Sequence, residues 1–468
     1  MRILALVAVA ALALAGCMAS TDDSTSTDGP DLTNIPSVSP TRIADPGTDF
    51  SGVVVTDHGA PGMHTIRALH GGSAFLEQVG YNALTDNINP GAVGTGWGAA
   101  GLWRTYACFA QFAGTGAISI VDIADPIAPV VLSTVDDPLV NGDCQFTDDG
   151  NYMLAGAYLA GAEYPDFGEQ PICPQGCPAG GGINVWDVHD KSNPVHILYT
   201  NTGEYHTLQL YFDPITNATY VIQAYSGNIY RFDPNVPALG LVATVTPMEH
   251  DMWLARHPIT GQSLLYTGSG GGFIIYDFAD PSDPKEIGLW NAEEGAEQNA
   301  GWHRQASVDQ LIDGMAVVVV AGEDCGKGNS LPYSTVDVSD PTNPITLGTW
   351  SVPGNPRSDA QETPAHLCEF SPHEFSVFDG YVAAGNYHAG TWLFDIGSAE
   401  RVRNPVTLGY HIPATEPLTE EPVFGAQDLT FVWNPFVWGS FFDERGYIIA
   451  GDFSSGMYVL KVPGVTQE

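Results

Sequence analysis

One pattern recurs along the chain: a short β-branched and aromatic run that stops at Asp and a Pro-containing turn. It reads "AISIVDIADPIAP" (117–129), "INVWDVHDKSNP" (183–194), "IYRFDPNVP" (229–237), "FIIYDFADPSDP" (273–284), "YSTVDVSDPTNP" (333–344), "TWLFDIGSAERVRNP" (391–405) and "MYVLKVPG" (457–464). These are seven copies, whose aspartates Asp122, Asp187, Asp233, Asp277, Asp337 and Asp395 lie 44 to 65 residues apart, with Lys461 in the seventh. Self-similarity at such a period is the mark of an array of supersecondary units. Each copy predicts a strand ending in a turn, where the carboxylate accepts hydrogen bonds from nearby backbone amides.

Two strand-like runs precede each copy, as in "HEFSVFDGYVAAGNY" (373–387), and a fourth follows most of them, as in "PVVLST" (129–134), "PKEIGLW" (284–290) and "PITLGTW" (344–350). Four antiparallel strands per unit, with no sustained helical periodicity, predict an all-β fold: a seven-bladed β-propeller. The last copy leaves no room for a fourth strand. "FSGVVVTD" (50–57) belongs to no unit, so the expectation is that this N-terminal strand joins the last blade and removes an open edge.

Motifs of the type "IVDIADP" and "TVDVSDPTNP" resemble the LVIVD-repeat family over roughly residues 100 to 462. The resemblance implies a propeller on a secreted or surface protein. The third copy lacks the second Asp, the seventh ends in Lys, and insertions near 46–100, 160–182, 290–301, 351–370 and 410–430 depart from the compact family unit. Insertions of this kind are where individual function resides.

The chain begins "MRILALVAVAALALAGC", an apolar run too short for a spanning helix, which predicts an export signal. Leu14-Ala15-Gly16-Cys17 resembles the lipobox of secreted lipoproteins. That resemblance implies lipidation of Cys17, and so a membrane partner through the N-terminal lipid. The expected organisation is a signal peptide over 1–16, a disordered Ser/Thr/Asp/Pro tether over 17–46, and one propeller over 47–468. Against 54 acidic residues stand 15 basic ones, a net charge of -39, which excludes nucleic acid as a partner. So acidic a surface suits salty surroundings, or attracts cations.

Setting Cys17 aside, six cysteines remain in an exported chain, an even number that favours disulfides. The expected pairs are Cys108 with Cys144, Cys325 with Cys368, and Cys173 with Cys177. A four-cysteine zinc site is the weaker alternative.

Aligned by their strands, the units put His206, His250, His303 and His373 at the start of the first strand in four consecutive blades, and Asp143 in an earlier one. The turns between second and third strands add Tyr225, Glu323, Asp324, His388 and Asp452 to the same rim. Two readings follow. His206, His250, His303, His373 and His388 converge on a transition metal, or each imidazole bonds the neighbouring blade's backbone. Calcium held by surface carboxylates is a third.

"TGSGGGF" (267–273) is a glycine-rich hairpin turn with no helix after it, so it is not a phosphate cradle. No G-x-S-x-G elbow sits between a strand and a helix. Asn217-Ala218-Thr219 is a glycosylation sequon in a hairpin turn. The aromatics of "FVWNPFVWGSFF" (431–442) read as packing between blades, with a sugar or peptide surface as the alternative. The expected function is a monomeric cell-surface or periplasmic binding module for a protein or carbohydrate, not an enzyme. The alternative is a metal-dependent oxidase- or lactonase-like enzyme at the channel mouth.

Overall fold

The computed structural model describes residues 36–51, 53, 71–84, 97–111, 117–136, 140–158, 181–203, 207–248, 251–269, 271–292, 301–307, 310–323, 332–354, 371–387, 389–413, 437–452 and 455–467. Every regular element among them is a strand. After β1 (Gly71–Gly72) and β2 (Glu77–Asn82) come five four-stranded meanders. The first is β3 (Trp97–Trp103), β4 (Tyr106–Gln111), β5 (Ala117–Asp122) and β6 (Val130–Asp136). The second is β7 (Val140–Phe146), β8 (Tyr152–Tyr158), β9 (Gly182–Asp187) and β10 (Val195–Asn201). The third is β11 (Leu208–Asp213), β12 (Ala218–Gln223), β13 (Asn228–Asp233) and β14 (Ala238–Thr244). The fourth is β15 (Met252–Arg256), β16 (Ser263–Ser269), β17 (Gly272–Asp277) and β18 (Lys285–Asn291). The fifth is β19 (Gly301–Ser307), β20 (Val317–Glu323), β21 (Tyr333–Asp337) and β22 (Ile345–Trp350).

A nine-stranded sheet holds the rest: β23 (Glu374–Phe378), β24 (Tyr381–Gly385), β25 (Thr391–Asp395), β26 (Val406–Ile412), β27 (Val437–Phe442), β28 (Ile448–Asp452) and β29 (Gly456–Lys461), with β1 beside β26 and β2 beside β29. It is two meanders joined where β23 and β27 pair in parallel at Glu374 with Gly439 and Phe375 with Ser440. The fold is therefore all-β and propeller-like.

The repeat aspartates form turns, as the sequence implies. Backbone amides two residues on donate to Asp122, Asp187, Asp233, Asp277, Asp337 and Asp395 at 2.7 to 3.1 Å. The second aspartate of the motif repeats the device at Asp125, Asp190, Asp280 and Asp340. The hydroxyls of Ser192, Ser282 and Thr342 also donate to Asp190, Asp280 and Asp340, and these bonds, more than the backbone ones, hold the three carboxyls below the usual range.

The third and fourth strands share a second regularity that the motif search does not reveal. Each such pairing carries a bulge whose extra residue lies on the fourth strand and is aliphatic: Leu132, Ile197, Val242, Ile287, Leu347 and Leu408. The pairing of β2 with β29 carries the same bulge at Val79. A bulge bends a strand and increases its twist. In three of these strands and in β2 a glycine follows it, at Gly288, Gly348, Gly409 and Gly80. A Cβ at Gly288 or Gly348 would overlap the carbonyl oxygen of Pro341 or Arg403, in the turn of the next unit. A Cβ at Gly80 would overlap that of Pro126, in the turn of the first sheet.

The strand beside β29 is thus Glu77–Asn82 and not residues 50–57, a correction with a plain cause. "QVGY" (78–81) carries the fourth-strand pattern of "EIGL" (286–289) and "TLGT" (346–349), and "FSGVVVTD" does not. Of 50–57, the described Phe50 and Val53 form a turn, Val53 N–H donating to Phe50 O at 3.0 Å.

Apolar side chains collect between consecutive sheets. One cluster joins the first sheet to the second, and others join the second to the third, the third to the fourth, the fourth to the fifth, the fifth to β23–β26, and β23–β26 to β27–β29. A seventh brings Phe441, Ile449 and Val459 of β27–β29 against Phe109, Val121 and Ile123 of the first sheet. Arg445 strengthens that contact by donating to the carbonyls of Ile123 and Ala124 at 2.7 and 3.0 Å.

Part of the segment expected as a tether over 17–46 is described and makes contacts. Residues 1–35 lie outside the described residues, but Pro36–Phe50 runs as a strap over the fifth sheet and β23–β26. Val38 N–H donates to Leu311 O at 3.0 Å. Arg42 reaches the fully buried Asp395 from Nη2 at 2.6 Å and lies 3.8 Å over the Tyr381 ring. Arg401 pairs with the same carboxylate. Phe50 packs edge-on against Trp392 and Tyr410. One buried carboxylate and one aromatic slot hold a segment whose composition alone would leave it loose.

Two predictions follow from the packing. Gly80→Ala and Gly288→Ala should each lower the urea midpoint by the equivalent of about 1–3 kcal/mol, whereas Gly240→Ala, with open space at its Cβ, stays within about 0.5 kcal/mol. The second concerns His411 on β26, whose Nε2 lies 3.0 Å from Gln78 Oε1 of β2 and whose ring faces Tyr458. Its Nδ1 is buried without a partner, and burial pushes the imidazole down to about 4 from an ordinary 6.5. Only the unfolded chain takes up this proton between those values. Stability from this group is therefore complete above pH 6.5, falls on acidification by on the order of 3 kcal/mol, and levels off below pH 4. Urea midpoints of the unaltered chain and His411→Gln across pH 7 to 4 isolate the slope, and parallel curves would refute it.

Candidate functional site

First strands of six of the meanders present residues to a cavity of about 860 Å³. Its wall takes residues from β3, β7, β11, β15, β23 and β27, and continues into the turns that follow several of these strands. Side chains on the wall stitch neighbouring first strands together. Gln145 of β7 accepts from Leu210 N–H at 2.9 Å and donates to Leu208 O at 2.8 Å, bracketing β11. Gln209 of β11 does the same to Leu254 of β15, at 2.5 and 3.0 Å. Ser376 of β23 accepts from Phe442 N–H at 2.7 Å and donates to Ser440 O at 3.4 Å. Strands that meet only edge to edge thus satisfy their inward backbone groups through an amide or a hydroxyl.

The disulfide Cys108–Cys144 ties β4 of the first sheet to β7 of the second, with a Cα separation of 6.2 Å, and a Cβ at Gly101 of β3 would overlap the Cys144 carbonyl. This is the first expected pair. Cys17, Cys173, Cys177, Cys325 and Cys368 lie outside the described residues.

The charged wall differs from the rim expected from sequence. Asp143, buried to 5%, is bonded by Gln145 Nε2 at 3.1 Å. At the far ends of the first strands are Arg104, Asp148, Arg256, Asp443 and Glu444. Asp443 is neutralised by Arg445, at 2.7 Å. Among the described residues Arg256 has no hydrogen-bond or ion-pair partner, and its Nε is sealed from solvent. Arg104, at φ +52, lies 4.7 Å over the Trp103 ring and is otherwise exposed.

Of the rim residues, His206, His250, Asp324 and His388 lie outside the described residues. For His303 and Glu323 only the backbone is described, in β19 and β20, where they sit opposite Ala321 and Gly301. His373 is buried to 1%, and its Nδ1–H donates to Trp438 O on β27 at 2.7 Å, with the two rings 3.9 Å apart. At this position the imidazole bonds the neighbouring meander's backbone. Asp452 is fully buried in the turn before β29, where it accepts from Ser455 Oγ at 2.6 Å. Tyr225 is half exposed at φ +58. Among the described residues no three His, Cys, Asp or Glu side chains are grouped to hold a metal.

The aromatics of the 431–442 run that are described, Trp438, Phe441 and Phe442, pack between meanders. Asn217 is exposed at φ +49 in the hairpin joining β11 and β12. Gln145, Gln209, Arg104 and Arg256 escaped the sequence reading. The glutamines had a signal, since "CQF" and "LQL" place Gln at one position of two successive first strands. The arginines had none. Compared with models of known protein families the chain matches none, and no curated protein matches it.

Removing one stitch should be costly. Gln209→Ala leaves the N–H and C=O of Leu254, 1% exposed, without partners, and should cost on the order of 3 kcal/mol in urea unfolding. Gln209→Glu should cost more, because a carboxylate would face the Leu254 carbonyl.

Proposed function

We infer that the chain is a closed seven-bladed β-propeller, exported and anchored through lipid on Cys17, that acts as a monomeric binding module. Membership of the LVIVD-repeat family is part of this reading and rests on the repeat motifs. Ring closure is supported by the equivalence of two contacts. Gly80 meets the turn at Pro126 as Gly288 meets the turn at Pro341, so the last meander packs on the first as the fourth packs on the fifth. On this reading β2 is the fourth strand of the seventh blade, and the parallel contact of β23 with β27 is where two blades touch beside the axis.

One observation carries the functional reading: a cavity of about 860 Å³ walled by first strands whose glutamines, serine and disulfide hold a rigid frame. Rigid concave sites of this size, part apolar and part polar, bind small molecules. The outer protein or carbohydrate partner expected of a surface module remains part of the proposal.

Closure is tested by Glu77→Cys with Lys461→Cys, whose Cα atoms are paired partners in β2 and β29. Mild oxidation should give an intramolecular disulfide in the monomer. Dimers alone, or no bond, would overturn closure. Anchoring predicts that Cys17→Ser abolishes labelled-fatty-acid incorporation and moves the protein from membrane to soluble fractions. Elemental analysis of the purified chain should find no stoichiometric transition metal. One metal per chain, lost in His250→Ala with His303→Ala, would replace the module with the metal-dependent enzyme.

A further inference from the structure

We propose that the cavity binds a small aromatic monocarboxylate, with Arg256 taking the carboxylate group. The inference rests on the binding-module reading and adds the ligand's chemistry.

In a chain with 54 carboxylate side chains and 15 cationic ones, a guanidinium finds a partner easily. Arg42 and Arg401 share Asp395, and Arg445 holds Asp443. Arg256 and Arg104 both stand on the cavity wall, and among the described residues neither is paired with a carboxylate. The Nε of Arg256 is buried without an acceptor, and among the described residues its terminal amino groups meet no acceptor. What remains open is the end of the guanidinium fork, the part that takes a carboxylate through two parallel hydrogen bonds. A partly desolvated cation left without a counter-charge is costly, and a ligand carboxylate removes that cost.

The rest of the wall narrows the class. Trp103, Phe212, Trp253 and Phe442 line the cavity and suit a flat apolar body. The volume falls within the roughly 300–1,000 Å³ of small-molecule sites. Asp143, Asp148 and Glu444 lie on the same wall and repel further negative charge, which disfavours a dicarboxylate or phosphate. The net charge of -39 keeps polyanions away. Arg104, exposed and laid over Trp103, is a second, outer cation that helps to draw the anion in.

Calorimetric titration of the full chain with phenylacetate tests the proposal. Saturable binding at one site per chain is expected, with Kd on the order of millimolar for so small a ligand. The neutral isostere phenylacetamide should bind at least about tenfold more weakly, and Arg256→Gln should weaken phenylacetate by about tenfold or more. Arg104→Gln should cost only a few-fold. Arg231→Gln, on β13 away from the cavity, should change nothing. A thermal melt of Arg256→Gln reports whether that variant folds, and if it does not, the acid-against-amide comparison on the unaltered chain decides. Absence of saturable phenylacetate binding, equal affinity for the amide, or unchanged affinity in a folded Arg256→Gln would overturn the proposal. Those results in a metal-free protein would sink the ligand class alone, whereas a stoichiometric metal would sink the module reading itself.

Discussion

At three contacts the spacing between sheets is set where the turn after one sheet's third strand lies on the glycine that follows the neighbouring fourth-strand bulge. A side chain there would overlap a carbonyl oxygen, so glycine sets how close two sheets come. The bulge before it bends the strand and turns an aliphatic side chain toward a neighbouring strand. Trp290 and Trp350 add to the interface by donating from Nε1 to Thr346 and Thr407 of the next unit, at 2.9 and 2.8 Å. Repeated contacts of this kind place sheets side by side so that the first strands of six meanders face one cavity.

That common space explains why the polar residues of the first strands are not free to do chemistry at will. Gln145, Gln209 and Ser376 are committed to neighbouring backbone, and His373 spends Nδ1 on Trp438 O. What the frame leaves over is a small set of charged groups at the far ends of the strands. The arrangement divides labour: amides and hydroxyls hold the wall, while arginines and carboxylates stand at its edge.

Much of the fold was legible because period-two strands and Asp-Pro turns are local. The carboxylate bonds an amide two residues on, so its role is visible in a ten-residue window. The strand beside β29 was harder to see: the repeat motif lies on the third strand, whereas the fourth is marked only by an aliphatic residue and a glycine, and Val79-Gly80 stands far from its partner in sequence. The strap was misjudged for a related reason: the Ser, Thr and Pro around it suggest disorder, but Arg42 and Phe50 each find a prepared site in β23–β26. At the site, the histidines drew attention as a residue type, while Arg256 matters through what is missing around it, and absence of a partner is invisible until the chain is folded.

The strap precedes β2 along the chain and is held by its own contacts. Tension applied at the N-terminus therefore loads Arg42 in the Asp395 pocket and Phe50 against Trp392 before it reaches the ladder between β2 and β29. The strap works as a strain relief, like the clamp that keeps a pulled cable from tearing its solder joint. β2 and β29 can stay paired in one sheet while the segment ahead of the strap is pulled.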